Sequence, residues 1–180
     1  MKTYFTVLQS VYKKDNPIFL SQSLQSIAEN TVQPYSVVLV KDGILNHELE
    51  SVISEWQSKL PLKVVGYEKN QGLAYALNYG LQFVETELVA RMDSDDICFS
   101  DRFEKQIAQF EVDSSIEILG VETKFWQEGL RRTIDYEFVK KVQGWEPRIR
   151  FNLFYLKRRN RMVESFYRGV VFAYSFCDFV

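Results

Sequence analysis

Asp93, Asp95 and Asp96 put three carboxylates into four residues, directly after the run Leu88-Val89-Ala90-Arg91-Met92. Oxygen ligands at that density suit hard divalent cations, Mg²⁺ or Mn²⁺. The run reads as a buried strand, and three acids cannot remain inside a sheet core, so the cluster marks where the strand leaves the sheet. In an open α/β sheet that carboxyl end is where ligands bind. Asp and Ser also favour turns and caps, so an acidic turn before the next helix is the alternative.

The elements that must position these acids follow from hydrophobic period. Tyr4 to Gln9 predicts a first strand, and Ser10 to Asp15 a polar loop. Asn16-Pro17 opens a helix to about Asn30, with Phe19, Leu20, Leu24, Ile27 and Ala28 on one face. Ser36 to Val40 is apolar enough for a strand buried on both faces, and it ends in Lys41-Asp42-Gly43. A helix from Glu48 to Lys59, with Leu49, Val52, Ile53 and Trp56 inward, leads to a strand at Leu62 to Tyr67. Asn70-Gln71-Gly72 then opens a helix from Gly72 to about Val84, its apolar face made by Leu73, Ala76, Leu77, Gly80, Leu81 and Val84. After the strand Leu88 to Met92, Ser100 or Asp101 caps a helix through Asp113 that buries Phe103, Ile107 and Phe110, and Ile116 to Gly120 is a fifth strand. This alternation predicts an α/β fold: a doubly wound, mostly parallel sheet with helices on both faces and right-handed crossovers. Residues 1–125 form that core; 126–180 carry no clear period and end on an apolar segment that reads as interrupted.

The pattern brings several strand ends to one edge. Tyr12 offers a ring face to a base, Asp42 an acid to a base or ribose, and the acid cluster oxygens to a metal. Asn70, Gly72 and Asn78 border a helix start whose backbone N–H groups attract phosphate. Together they make a nucleotide-diphosphate site. Each has a plainer reading, with Asp42 as a turn residue and Asn-x-Gly as a loop.

The bulk properties narrow the setting. The chain has 180 residues, 46% hydrophobic, with a formal charge of −2. Its charge is uneven: 15 Lys+Arg against 21 Asp+Glu in 1–144, and 7 against 3 in 145–180. Basic residues confined to an irregular tail give no reason to expect a nucleic-acid partner. Two distant cysteines, Cys98 and Cys177, suit a reduced, cytoplasmic protein, and no signal peptide or bilayer-spanning run is evident. Any membrane contact is peripheral, through the basic, aromatic run 148–168, which reads equally as a solvated helix face. His47 is expected in solvent; Cys98, with no evident cation beside it, is a packing residue.

Four ordered segments carry a family resemblance: Ser10-Val11-Tyr12; Val38-Leu39-Val40-Lys41-Asp42-Gly43; Asn70 to Gly80; and Ala90 to Asp96 with Asp101-Arg102-Phe103-Glu104-Lys105-Gln106. Over about two thirds of its length the chain resembles the family 2 glycosyltransferases of GT-A fold, particularly those building bacterial capsular, exopolysaccharide and O-antigen chains. The resemblance implies a divalent-metal-dependent, inverting transfer of sugar from a nucleotide-diphosphate donor to a glycan or polyprenyl-diphosphate-linked acceptor. It places Ser10 and Tyr12 at the base, Asp42 on base or ribose, and Asn70 and Gly72 against ribose and diphosphate. Asp93 lies near ribose and metal, Asp95 binds the Mn²⁺ or Mg²⁺, and Asp96 and Arg91 shape the sugar pocket. Lys41 stands where the family usually has an acid, free to pair with Asp42 or to approach the diphosphate.

The resemblance also implies a general base in the second half of the domain, often in a Glu-Asp pair, which this chain lacks. Asp135, Glu137 and Glu164 are the acids available there, and spacing selects none. A truncated, catalytically impaired donor-binding domain is one alternative reading. A Mg²⁺-dependent phosphoryl-transfer or signalling domain is another, although it leaves the segment from Asn70 to Gly80 unexplained.

Overall fold

Apolar runs of strand length alternate with amphipathic helices, and the chain lays them down as β1 (Phe5–Val11), α1 (Pro17–Ala28), β2 (Ser36–Asp42), α2 (His47–Trp56), β3 (Leu62–Tyr67), α3 (Leu73–Leu81), β4 (Leu88–Arg91), α4 (Arg102–Val112), β5 (Ile118–Gly120) and β6 (Tyr155–Arg158). These come from a computed structural model that describes residues 3–116, 118–120 and 155–158. The strands form one sheet in the order β3-β2-β1-β4-β6-β5. β1 pairs in parallel with β2 and β4, and β2 with β3, so these four strands end at one carboxyl edge. The predicted α/β architecture is therefore observed.

Helices cover both faces. Leu20, Leu24 and Ile27 of α1, Leu49, Ile53 and Trp56 of α2, and Phe103, Ile107 and Phe110 of α4 pack with Phe5, Val7, Val37, Leu39 and Ala90. Ala76, Leu77 and Leu81 of α3 cover Leu8, Val38, Val40 and Val89 on the opposite face. Alternation along β2 thus sends Lys41 toward the α1, α2 and α4 side and Asp42 toward the α3 side.

Several expectations change. β1 runs on through Ser10 and Val11, and β2 through Lys41 and Asp42, because the ladder continues as Ser10↔Val40 and Val11↔Lys41. α1 stops at Ala28: Asn30 turns its side-chain amide back onto the Ser26 carbonyl at 3.0 Å. Phe19, placed on the inward face by its spacing, is 48% exposed. α2 begins at His47 under an Asn46 cap and ends at Trp56, and α3 is confined to Leu73–Leu81.

The largest departure is β6. It inserts between β4 and β5 and runs antiparallel to both, within a basic stretch that carried no strand expectation. For Tyr155–Arg158 this replaces the solvated-helix reading. The remainder of 126–180, including Asp135, Glu137, Glu164 and most of 148–168, lies outside the described residues.

α3 approaches the sheet closely because Gly80 lacks a side chain. A Cβ there meets Leu8 Cδ1 at 2.5 Å and Val40 Cγ2 at 2.6 Å. Helix propensity favours Ala over Gly by about 1 kcal/mol, whereas overpacking a core costs roughly 1–3 kcal/mol. Gly80→Ala is predicted to lower stability in urea unfolding by about 1 kcal/mol, the opposite sign to propensity alone.

Candidate functional site

The acid loop leaves β4 at the edge where β1 and β2 also end. Its first carboxylate is fixed through its backbone. Gln9, fully buried on β1, donates from Nε2 to the Asp93 carbonyl at 2.9 Å and to Ser23 Oγ at 2.8 Å. Ser23 Oγ donates to the same carbonyl at 3.1 Å. The side chain of Asp93 accepts from Arg91 Nη2, and the Arg91 carbonyl accepts from Arg102 Nη2 at 3.0 Å. Arg102 also donates to Gln106 Oε1 at 3.1 Å, and Gln106 Nε2 donates to the Leu119 carbonyl at 3.0 Å. One relay of buried polar groups thus connects β5, α4, the end of β4 and the acid loop.

A fourth acid joins the three in the cluster. Asp15 Oδ2 accepts from the Tyr12 backbone N–H at 3.1 Å and from Ser94 Oγ at 2.8 Å, tying the β1–α1 loop to the acid loop. Sequence pattern alone does not mark Gln9, Asp15, Ser23, Ser94 or Arg102 as site residues. The available signal was Gln9, an amide in an otherwise apolar strand, and the rest needed the tertiary arrangement.

Crowded carboxylates in partial burial resist ionising. Desolvation pushes the Asp93 carboxyl up, opposed by Arg91 and reinforced by Asp95. Asp96 is raised to about 7, first by desolvation and then by Asp93 and Asp95. Burial lowers the Arg102 guanidinium to about 10, with Cys98 and Asp96 acting against that shift.

Among the described residues no three Asp, Glu, His or Cys side chains form a metal cage of their own. The acid loop offers two carboxylates, half-buried Asp93 and exposed Asp95, a set that fits a Mg²⁺-type cation, which takes one or two carboxylates and completes its shell with substrate phosphates and water. Such a cation would relieve the repulsion that Asp93 and Asp95 add, after burial, at Asp96.

Asp42 sits at the same edge but is already engaged. Its carboxylate accepts from Gln71 N at 2.7 Å, Asn70 Nδ2 at 2.8 Å and Gly72 N at 3.0 Å. Two N–H groups that the sequence reading offered to phosphate therefore donate to Asp42, fastening the start of α3 to the end of β2. Gly43 (φ +92°) makes the turn, and a Cβ there falls 2.9 Å from Asn70 N. The Tyr67 phenol, raised by burial and then by neighbouring Asp42, holds its proton firmly.

Ser10 is half-buried in β1, while Tyr12 is 39% exposed just beyond it. Lys41 does not pair with Asp42; its Nζ reaches Glu50 at 2.9 Å across the other face of the sheet. A shallow groove of about 390 Å³ near that pair, lined by Lys41, Ile44, Glu50, Val64, Gly66 and Tyr67, is separate from the acid loop. His47 is exposed, as expected. Cys98 is buried, but the expectation of no neighbouring cation is corrected: Arg102 lies against it.

The sequence pattern described as Glycosyl transferase family 2 matches residues 10–176, so the chain belongs to that family, and its sheet is of the GT-A type. A similar protein is the Escherichia coli UDP-Gal:alpha-D-GlcNAc-diphosphoundecaprenol beta-1,3-galactosyltransferase, 50% identical over 100 residues, covering 56% of this chain and 36% of that one. The fold matches S. aureus TarS 1-349 solved with UDP-GlcNAc at TM-score 0.74 and 22% identity, over 91% of this chain and 47% of that one. It also matches a Pyrobaculum calidifontis mannosyltransferase solved with GDP-Man and Mn²⁺, at TM-score 0.58 and 22% identity, over 66% and 35% of the two chains. The matched segments span between 36% and 44% of the first three curated relatives. Among the described residues no helix is long and apolar enough to cross a membrane.

Asp15 supplies a test of the electrostatics. Its carboxyl is raised by desolvation, so the folded state holds that proton more tightly than the unfolded chain and loses stability as pH rises above the usual carboxylate range. Asp15→Asn keeps an acceptor for Tyr12 N and Ser94 Oγ without the charge. Its unfolding temperature is expected to exceed the wild type's at pH 8 and to converge with it near pH 3, as read by thermal melts.

Proposed function

We propose that the chain binds a nucleotide-diphosphate sugar at the carboxyl edge of β1, β2 and β4 and transfers the sugar to a hydroxyl of a glycan or polyprenyl-diphosphate-linked acceptor. The observation that carries this is the acid loop, clamped through the Asp93 carbonyl at the end of a buried strand, with the Asp96 carboxyl pushed up to about 7 by burial and then by Asp93 and Asp95. Membership of the family supports the reaction class. The galactosyltransferase relative, whose name specifies UDP-Gal and a GlcNAc-diphosphoundecaprenol, supports a lipid-linked acceptor and a role in bacterial surface-glycan synthesis. The reading puts the reaction in the cytoplasm, at the inner membrane surface when the acceptor is lipid-linked.

In this reading Asp95, exposed at the tip of the loop, and Asp93 hold Mn²⁺ or Mg²⁺. When bound, the cation acts as a Lewis acid on the diphosphate leaving group. The chain's own residues orient the donor. The Tyr12 ring, exposed beside Ser10, lies against the base; Asp42 serves base or ribose through the oxygen capacity left by its three N–H partners; and Asn70 and Gly72 border the ribose and diphosphate. Arg91, held by Asp93, and Asp96 line the sugar side. Inversion at the anomeric carbon requires a base on the acceptor side, and no described residue is assigned that role. Lys41, bound to Glu50, takes no part in the diphosphate contact.

The test is calorimetric titration of the chain with UDP and with GDP, each in Mn²⁺ and in EDTA. One nucleotide is expected to bind in a metal-dependent way, and Asp95→Ala to weaken it by about tenfold or more. Absence of metal-dependent binding to either nucleotide by the folded wild type contradicts the proposal.

A further inference from the structure

Helix α1 and the turn just after it present polar side chains to the acid loop, where a helix packed on a sheet ordinarily presents apolar ones. Ser23, Ser26 and Asn30, spaced three and four apart, are 0%, 7% and 5% exposed. Ser23 Oγ donates to the Asp93 carbonyl at 3.1 Å. Ser26 Oγ accepts from the Cys98 backbone N–H at 3.1 Å and lies 3.3 Å from Cys98 Sγ. Asn30 Nδ2 reaches the Phe99 carbonyl at 3.1 Å and Cys98 Sγ at 3.2 Å, while its Oδ1 accepts from Phe103 N at 3.4 Å. The Thr31 backbone N–H donates to the Ser100 carbonyl at 2.7 Å. The acid loop and the first turn of α4 are therefore stitched to α1 and the turn after it at Asp93, Cys98, Phe99, Ser100 and Phe103.

Apolar residues at these positions would bury more hydrocarbon, but they would leave loop N–H and C=O groups without partners. The polar seam specifies where the loop backbone lies. We propose that Ser23, Ser26 and Asn30 are positioning residues that fix the acid loop, so that Asp93 and Asp95 meet cation and diphosphate without reorganisation. This rests on the donor-site reading above. Partners behind metal ligands act in this way, and their loss typically costs about 10–100-fold in metal affinity or activity.

The experiment compares Ser26→Ala, Asn30→Ala and Thr6→Val with the wild type. Thr6→Val is the control: it breaks the buried Thr6–Thr86 contact of 2.8 Å at the opposite end of the sheet. Affinity for UDP and GDP is measured in Mn²⁺ and in EDTA well below each unfolding temperature, together with amide exchange across 93–103. Ser26→Ala and Asn30→Ala are expected to lose about tenfold or more of the Mn²⁺-dependent affinity gain, with unchanged binding in EDTA and faster exchange in the loop. Thr6→Val should keep that gain even where it melts earlier. If wild type binds with Mn²⁺ and the two seam variants retain the full gain, or lose it only in proportion to melting temperature as Thr6→Val does, the positioning role is overturned. If wild type shows no metal-dependent binding, the donor-site reading falls and this inference falls with it.

Discussion

Like charges held close together at the edge of a dry core are the constraint around which this chain is built. Left to themselves, the carboxylates of the acid loop would move apart or take up protons; burial raises the Asp93 and Asp96 carboxyls first, and neighbouring acids add to it. The fold opposes separation by holding the loop in place: Gln9 and Ser23 share the Asp93 carbonyl, and the Ser94 hydroxyl is tied to the Asp15 carboxylate. Two buried guanidiniums, Arg91 and Arg102, supply partial compensation. The compensation is incomplete, which is the electrostatic condition under which a divalent cation and its diphosphate bind well.

The two faces of the sheet divide the remaining work. On the side of α1, α2 and α4, Gln9 reaches the polar seam of α1 and Lys41 is neutralised by Glu50. On the side of α3, Asp42 gathers three N–H donors from residues 70–72 and so fixes the start of that helix. Neighbouring residues on β2 thus do unrelated jobs because strand alternation sends them to opposite faces. The departure at Lys41 from the family's usual acid leaves Asp42 undisturbed for the same reason.

The core strands and helices were legible because each carried a full period of apolar residues; β3 was placed residue for residue, and the other helices and core strands to within a few residues at their ends. Strand ends were read short at Ser10-Val11 and Lys41-Asp42, where polar residues interrupt the apolar pattern although the ladder continues. β6 was illegible: four residues in a basic run have no period of their own, and their conformation is fixed by pairing with β4 and β5. At the site, the clustered acids announced themselves, whereas Asp15 and Asn30 look like ordinary turn and cap residues. Their significance lies in contacts across 79 and 73 positions of sequence, to Ser94 and Phe103, which no local pattern encodes.

The most direct measurement is anomalous diffraction at the manganese edge from crystals of this chain grown with Mn²⁺ and the nucleoside diphosphate that binds it. The account predicts one strong peak beside the Asp95 carboxylate, bridging the acid loop to the diphosphate, with Asp93 nearby and the nucleoside between Tyr12 and Asp42. A nucleotide bound with manganese at another surface, or bound here with no metal between it and Asp95, would contradict the central claim.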